Sequence, residues 1–428
     1  MCGAQIEDDG LVNGHGCDAL LRVEYTDKRF APGAGDGLFK FSKWLPVARV
    51  LPGSSAPAAY KSEALAGKLG LDNLFVAFSG YWEEKSVFMS TCTFKECEAY
   101  AVLARFPAKP GNALVVASAG NTARAFTKVA GDNGIPLIVV IPEQNLSNLW
   151  LREKADCVRI IAAGEGCDYS DAISLAGALC GAGGFISEGG ARNVARRDGM
   201  GTVMLSAAQA IGGAPDFYFQ AVGSGTGAIA AWEANVRLVE SGFAKKVASL
   251  QLSQNAPFLP IYKAWKAGAR EIPAQDDREA KSQIDQIAAG VLSNRNPPYA
   301  IGGGLYDALA AASGDMWAVT NGEIASAQRL FEESEGCDIC PEAGAALASL
   351  IQAKQAGRIS KRDVILLNVT GGGYKRAAAR ATEAAMAAEA AMAGTRHLEA
   401  DIIVPYGDIT DGKKIEALAK KIKSEYFS

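Results

Sequence analysis

Two short segments carry the residues best suited to chemistry. The first, Ser90-Thr91-Cys92-Thr93-Phe94-Lys95, places a lysine behind a hydroxyl and an aromatic residue, at the start of a stretch rich in Ala and Tyr. A lysine at a helix start sits at the positive end of the helix dipole, which favours its neutral form. The neutral amine is the form that attacks an aldehyde. The second segment, Ser118-Ala119-Gly120-Asn121-Thr122, ends an apolar run in a Gly-Asn turn. Amides at the helix start that follows bind anions, of which a substrate carboxylate is the obvious one for Ser118, Gly120 and Thr122. In this order the segments suggest an enzyme of pyridoxal 5'-phosphate (PLP). Lys95 would hold the cofactor as an imine, and Asn121 would donate to the ring oxygen.

Such a cofactor also needs a phosphate cradle and a partner for its ring nitrogen. Gly223-Ser224-Gly225-Thr226-Gly227 alternates glycine with hydroxyl residues between a strand-like run and a helix, so the backbone can approach a phosphate closely. A dinucleotide fingerprint needs a third glycine three residues on and an acidic residue near position 245, and both are missing. Thr370, ahead of Gly371-Gly372-Gly373, offers a hydroxyl to the ring nitrogen. A hydroxyl leaves that nitrogen largely unprotonated, which suits β-elimination and replacement. The pair Cys337 and Cys340 has neither a thioredoxin-like context nor a second pair, so a buried turn ahead of a helix starting near Glu342 is expected rather than redox work. Each motif alone also has a plain structural reading: a solvated lysine, an asparagine cap, a tight strand-helix turn.

Composition narrows the field. The chain has 428 residues, 49% hydrophobic and 21% charged, with net charge -4. That is enough for two domains and carries no basic block suited to nucleic acid. No run of eighteen apolar residues suggests a membrane span. The opening MCGAQIEDDG lacks the regions of a signal peptide. Nine cysteines, an odd number, fit a reducing compartment, so a cytoplasmic protein is expected. Only two histidines occur, His15 and His397, which moves the chemistry toward lysine and a cofactor. Cys2, His15 and Cys17 could be the remains of a zinc ribbon, but neither cysteine has a close second one. An N-terminal hairpin or cover is preferred there, and no metal is expected.

The elements that must position these residues read as an open α/β arrangement. Apolar runs at 113–118, 136–141, 157–162, 184–187, 217–222, 247–252 and 364–369 alternate with helical patterns at 122–133, 147–155, 169–179, 201–211 and 227–241. Continuous apolar strands joined by helices mean buried parallel strands. Further helices are expected at 324–334 and 343–356. The Ala-rich tail 377–393 reads as a helix at the surface or at a subunit contact, and a homo-oligomer is expected.

Together these residues resemble the threonine synthase branch of the type II PLP enzymes. Thr93-Phe94-Lys95 is similar to the family's Ser-Phe-Lys segment, and Ser118 to Thr122 to its Ser-x-Gly-Asn loop. The run from Asn193 to Leu205 resembles its Asn-Pro-x-Arg-x-x-Gly segment. Gly223 to Gly227 is similar to its phosphate loop, Pro341-Glu342-Ala343 to its Glu-Pro-Ala helix start, and Thr370 to Lys375 to its Thr-Gly-x-Gly-x-Lys turn. The resemblance covers roughly residues 40 to 380. It implies a tryptophan synthase β-like α/β fold: two open, mostly parallel sheets with helices on both faces. It further implies an N-terminal extension (1–40), a large PLP-binding domain (41–95 and 206–394), a small domain (96–205) and a C-terminal segment (395–428). Within this family the lysine segment runs Ser-Phe-Lys-Asp-Arg-Gly, whereas in this chain Glu96-Cys97-Glu98 follows Lys95. That variant resembles a methanogen-type relative, and so implies O-phosphoserine and sulfite as substrates, cysteate and phosphate as products, and a place in coenzyme M synthesis. Threonine synthesis from O-phosphohomoserine, another replacement reaction, and a scaffold kept only for binding are the alternatives. Two anionic substrates call for basic side chains, for which Arg196, Arg197, Lys375 and Arg376 are candidates.

Overall fold

A computed structural model describes residues 2–35, 37–109, 111–151, 154–387 and 396–427. Two sheets organise the chain. The larger has the strand order Ala58–Lys61, Asn73–Phe78, Val364–Val369, Phe217–Ala221, Ser249–Asn255, Asp315–Val319. All of its pairs are parallel except the antiparallel first one. The smaller sheet is parallel throughout, in the order Ile402–Val404, Val158–Ala163, Leu137–Pro142, Leu114–Ala117, Ile186–Ser187. The central strands are apolar on both faces because helices cover both. Every residue of Leu137–Pro142 is buried, as are five of the six in Val364–Val369.

The expected strands and most of the helices are present, including the implied pair of mostly parallel sheets. The exception is the helix expected at 147–155. Residues Glu143–Asn148 form a 3-10 turn, and Trp150–Leu151 is a short strand paired antiparallel with Arg396–His397. A distant segment supplies the backbone partners there, and local composition carries no trace of it. Strands Ala58–Lys61, Asn73–Phe78, Asp315–Val319 and Ile402–Val404 add to those expected from the apolar runs. The tail helix runs Tyr374–Ala387, and residues 388–393 lie outside the described residues. Residues 2–35 form an irregular cover rather than a hairpin. Its one strand-like contact is the bridge Ala19–Gly302.

A pair of helices joins the two sheets. Lys95–Arg105 shares a core with Val116 and Phe126 of the smaller unit, while Val194–Ile211 contributes Met200, Met204 and Leu205 to the core of the larger sheet. The two helices touch at Gly199, where a methyl group would lie 2.7 Å from the Ala101 side chain and strike the Cys97 carbonyl. Only glycine permits this approach. No helix among the described residues is long and apolar enough to cross a membrane.

Candidate active site

Lys95 is the first residue of its helix. The segment before it is pinned to the end of strand Val364–Val369: the Phe94 amide donates to the Thr370 carbonyl at 2.9 Å, and the Gly372 amide to the Cys92 carbonyl at 3.1 Å. The glycines after Thr370 make this junction possible. A side chain at Gly372 would meet the Asp338 carbonyl at 2.5 Å and the Phe78 ring at 3.0 Å.

The Lys95 amine lies 3.1 Å from Oε2 of Glu98, one turn along the same helix. Glu98 is fully buried. Its other oxygen accepts from the Thr122 hydroxyl at 2.8 Å and faces Arg196 Nη2 at 3.4 Å. Arg196 is held by Glu188, Nε to Oε1 at 2.7 Å. Burial pushes the Glu98 carboxyl upward, but the charges of Arg196 and Lys95 and the Thr122 hydroxyl outweigh it and hold its pKa below the usual value. Burial wins at Glu188, whose pKa is raised despite Arg196. A carboxylate held in its ionised form therefore faces the Lys95 amine.

Asn121 opens the helix Asn121–Asp132. Its amide nitrogen donates to Glu342 Oε1 at 3.1 Å, and its oxygen accepts from Arg124 Nη2 at 2.7 Å. Glu342 stands in the first turn of the helix Pro341–Gln355. Ser118 is buried and its hydroxyl accepts from the Gly120 amide at 3.3 Å. The Thr122 hydroxyl is committed to Glu98, so this residue faces the lysine network as well as the Gly-Asn turn.

The glycine loop joins strand Phe217–Ala221 to helix Thr226–Glu240. The Ser224 and Thr226 hydroxyls bond each other at 2.9 Å. Gly225 has φ +78°, a left-handed conformation suited to glycine. The amides of Gly223, Ser224 and Gly225 donate to no protein acceptor among the described residues. A methyl at Gly227 would lie 3.2 Å from the Phe94 ring, which places the loop beside the lysine segment. Free amides at a helix start are the donor set of a phosphate monoester, and with the adjacent lysine they fit PLP. Burial and Glu342 push the Cys340 thiol, close to Thr370, well above its ordinary pKa. Cys337 is likewise buried, so the Cys337/Cys340 pair is a packed turn rather than a reactive one.

Of the basic candidates, only Arg196 reaches the lysine network. Arg197 is buried against Glu233 at 2.9 Å and the carbonyls of Ala191 and Leu21. Lys375 and Arg376 pair with Glu332 and Glu84 near the surface. Glu98, Glu188 and Arg124 were missed by sequence reasoning, and Glu342 was read only as part of a helix start. The only available signal was the departure at Glu98 from the family's glycine.

The family model described as pyridoxal-phosphate dependent enzyme matches residues 85–371. A cysteate synthase of Methanosarcina acetivorans is 49% identical over 378 residues, covering 88% of this chain and 91% of its own. One from Methanoculleus marisnigri is 51% identical over 365 residues, 85% and 84% of the two chains. The chain belongs to the cysteate synthase family of PLP-dependent enzymes. Among solved structures, maize serine racemase aligns with TM-score 0.58 at 15% identity, over 78% of this chain and 93% of its own. A PLP-dependent aspartate racemase aligns with TM-score 0.55 at 16% identity, over 74% and 90%. These two share the fold of this cysteate synthase family member.

Proposed function

We propose that the chain replaces the phosphate of O-phospho-L-serine by sulfite, giving L-cysteate and phosphate, a step toward coenzyme M. The observation that carries this reading is the identity of about one half to cysteate synthases over most of both chains. The departure at Glu96-Cys97-Glu98 from the threonine synthase pattern supports it. When bound, PLP supplies an electron sink that lets the α-proton of an amino acid leave and the β-substituent depart.

The chain's own groups divide the remaining work. Lys95 holds the cofactor, takes the proton from Cα and later returns it. Glu98, 3.1 Å from the amine, orients it and balances its charge whenever it carries that proton. Gly223, Ser224, Gly225, Thr226 and Gly227 would hold the cofactor phosphate through backbone amides and hydroxyls, Asn121 would donate to its ring oxygen, and Thr370 would offer its ring nitrogen a hydroxyl that does not protonate it. Ser118, Gly120 and Thr122 receive the substrate carboxylate, through the backbone amide at Thr122 because its hydroxyl is spoken for. The C–O bond to phosphate breaks and a C–S bond to sulfite forms at the same carbon; Lys95 removes and returns the Cα proton, and the proton that bisulfite loses balances the one that the departing phosphate gains. O-phosphohomoserine would need a second proton removed at Cβ and a further acid-base group.

We further read the chain as a cytoplasmic homo-oligomer. Its nine cysteines are all free thiols, which suits a reducing compartment, and light scattering on the purified protein tests the assembly. The substrate assignment is tested by assaying phosphate release and product from phosphoserine and phosphohomoserine, each with and without sulfite. Sulfite-dependent phosphate release with cysteate as product is expected. Threonine formed from phosphohomoserine at equal or greater kcat/KM would replace this reading.

A further inference from the structure

The N-terminal cover brings together three side chains that lie up to fifteen residues apart in sequence. Cys2 Sγ is 3.3 Å from Cys17 Sγ and 3.9 Å from His15 Nδ1, and all three ligand atoms lie within 4.8 Å of one another. Among the described residues this is the one trio of Cys, His, Asp or Glu ligand atoms so grouped. We propose that Cys2, His15 and Cys17 bind a divalent zinc-class ion, with water in the fourth position, and that the ion fastens the cover to the catalytic helices.

The spacing fits coordination. Bonds of about 2.3 Å to sulfur and 2.0–2.1 Å to nitrogen in a tetrahedron put neighbouring ligand atoms about 3.5–3.8 Å apart, and the two measured separations straddle that range. A disulfide needs about 2.05 Å. Two thiolates and an imidazole are soft to borderline ligands, which selects zinc over magnesium or calcium.

The chain between the ligands has a definite task. Asp8 forms a two-pronged pair with Arg105, at 2.6 and 3.0 Å, and the Val12 carbonyl accepts from the same guanidinium at 2.8 Å. Arg105 is the last residue of the helix that begins with Lys95. Its third nitrogen reaches Asn13 and also Asn193, the cap of the helix that carries Arg196. An ion closing the loop between Cys2 and Cys17 would thus hold Asp8, Val12 and Asn13 against one end of each of the two helices of the active site.

The test measures zinc per chain in the full-length protein, purified and titrated with zinc in reducing buffer, for wild type and for Cys2→Ser, His15→Ala and Cys17→Ser. Cys180→Ser serves as the control. Close to one zinc per chain is expected in wild type and control, with at least a tenfold loss of affinity in each cysteine variant. Hydrogen exchange of residues 2–20 should be faster in those variants while cofactor content stays unchanged, which separates loss of the ion from failure to fold. Wild type that takes up no zinc, zinc retained in the cysteine variants, or a Cys2–Cys17 disulfide in place of the metal would each overturn the proposal.

Discussion

The amine of Lys95 and the carboxylate of Glu98 face each other at 3.1 Å within one turn of one helix, and Glu98 is fully buried. A buried carboxylate needs more than one partner to stay ionised. Arg196 at 3.4 Å and the Thr122 hydroxyl at 2.8 Å supply them. Lys95 is thereby tied to both packed helices and to the Gly-Asn loop.

Glu98→Gln should keep the Thr122 contact but remove the charge. We expect a loss of about 1–3 kcal/mol of stability at neutral pH and a fall in kcat with bound cofactor retained. The pH dependence has a definite sign. A carboxyl whose folded pKa lies below its unfolded value near 4.5 stabilises the fold fully above that pH, and the contribution fades as pH falls through the folded pKa. The Tm gap between wild type and Glu98→Gln should be constant above about pH 5 and shrink under acid. Glu188 shifts oppositely, and the Glu98 charge is part of the cause, so the comparison is made in a Glu188→Gln background that removes its contribution. A gap that widens as the pH drops into the acid range would contradict the pairing.

Lys95→Ala should abolish turnover while leaving the cofactor loosely bound in the glycine loop. In wild type, borohydride should fix the cofactor on the peptide that contains Lys95. Peptide mapping that finds it on another lysine would transfer the cofactor-holding role to that residue.

Gly225→Ala probes the cradle. A side chain there must adopt φ near +78°, and its methyl would lie 2.5 Å from Leu305. Strain of about 1–2 kcal/mol is expected, together with roughly a tenfold weaker hold on the cofactor as the loop amides shift. Titration followed by the cofactor's absorbance reads the second effect. An unchanged dissociation constant would argue that the phosphate sits elsewhere.

Gly199→Ala tests whether helix contact supports the site from a distance. The added methyl meets Ala101 at 2.7 Å, so the helices must separate. Overpacking of this kind costs about 1–3 kcal/mol. Because Arg196 lies one turn away from Gly199, kcat should fall more than KM rises. A variant as stable and as active as wild type would show that the close approach is dispensable.

The local features were legible in the sequence. Strand runs such as Leu137–Pro142, the Gly-Asn turn, the glycine loop before Thr226 and the lysine at a helix start are each set by neighbours a few residues apart. Periodicity and turn chemistry act over that range. Arg196 was also within reach, as a basic residue in a recognisable segment. Other features depended on which distant segments pack together. Trp150–Leu151 is a strand only because Arg396–His397 pairs with it, and Ile402–Val404 extends the sheet by pairing with Val158–Ala163, a strand from a far earlier part of the chain. Glu98 resembles an ordinary helix-surface glutamate in the chain. It becomes the counter-charge of Lys95 because Gly199 lets a second helix close over it, exclude water and bring Arg196 alongside. Burial and pairing decide whether such a group is idle or functional, and both arise only when separate parts of the chain are packed.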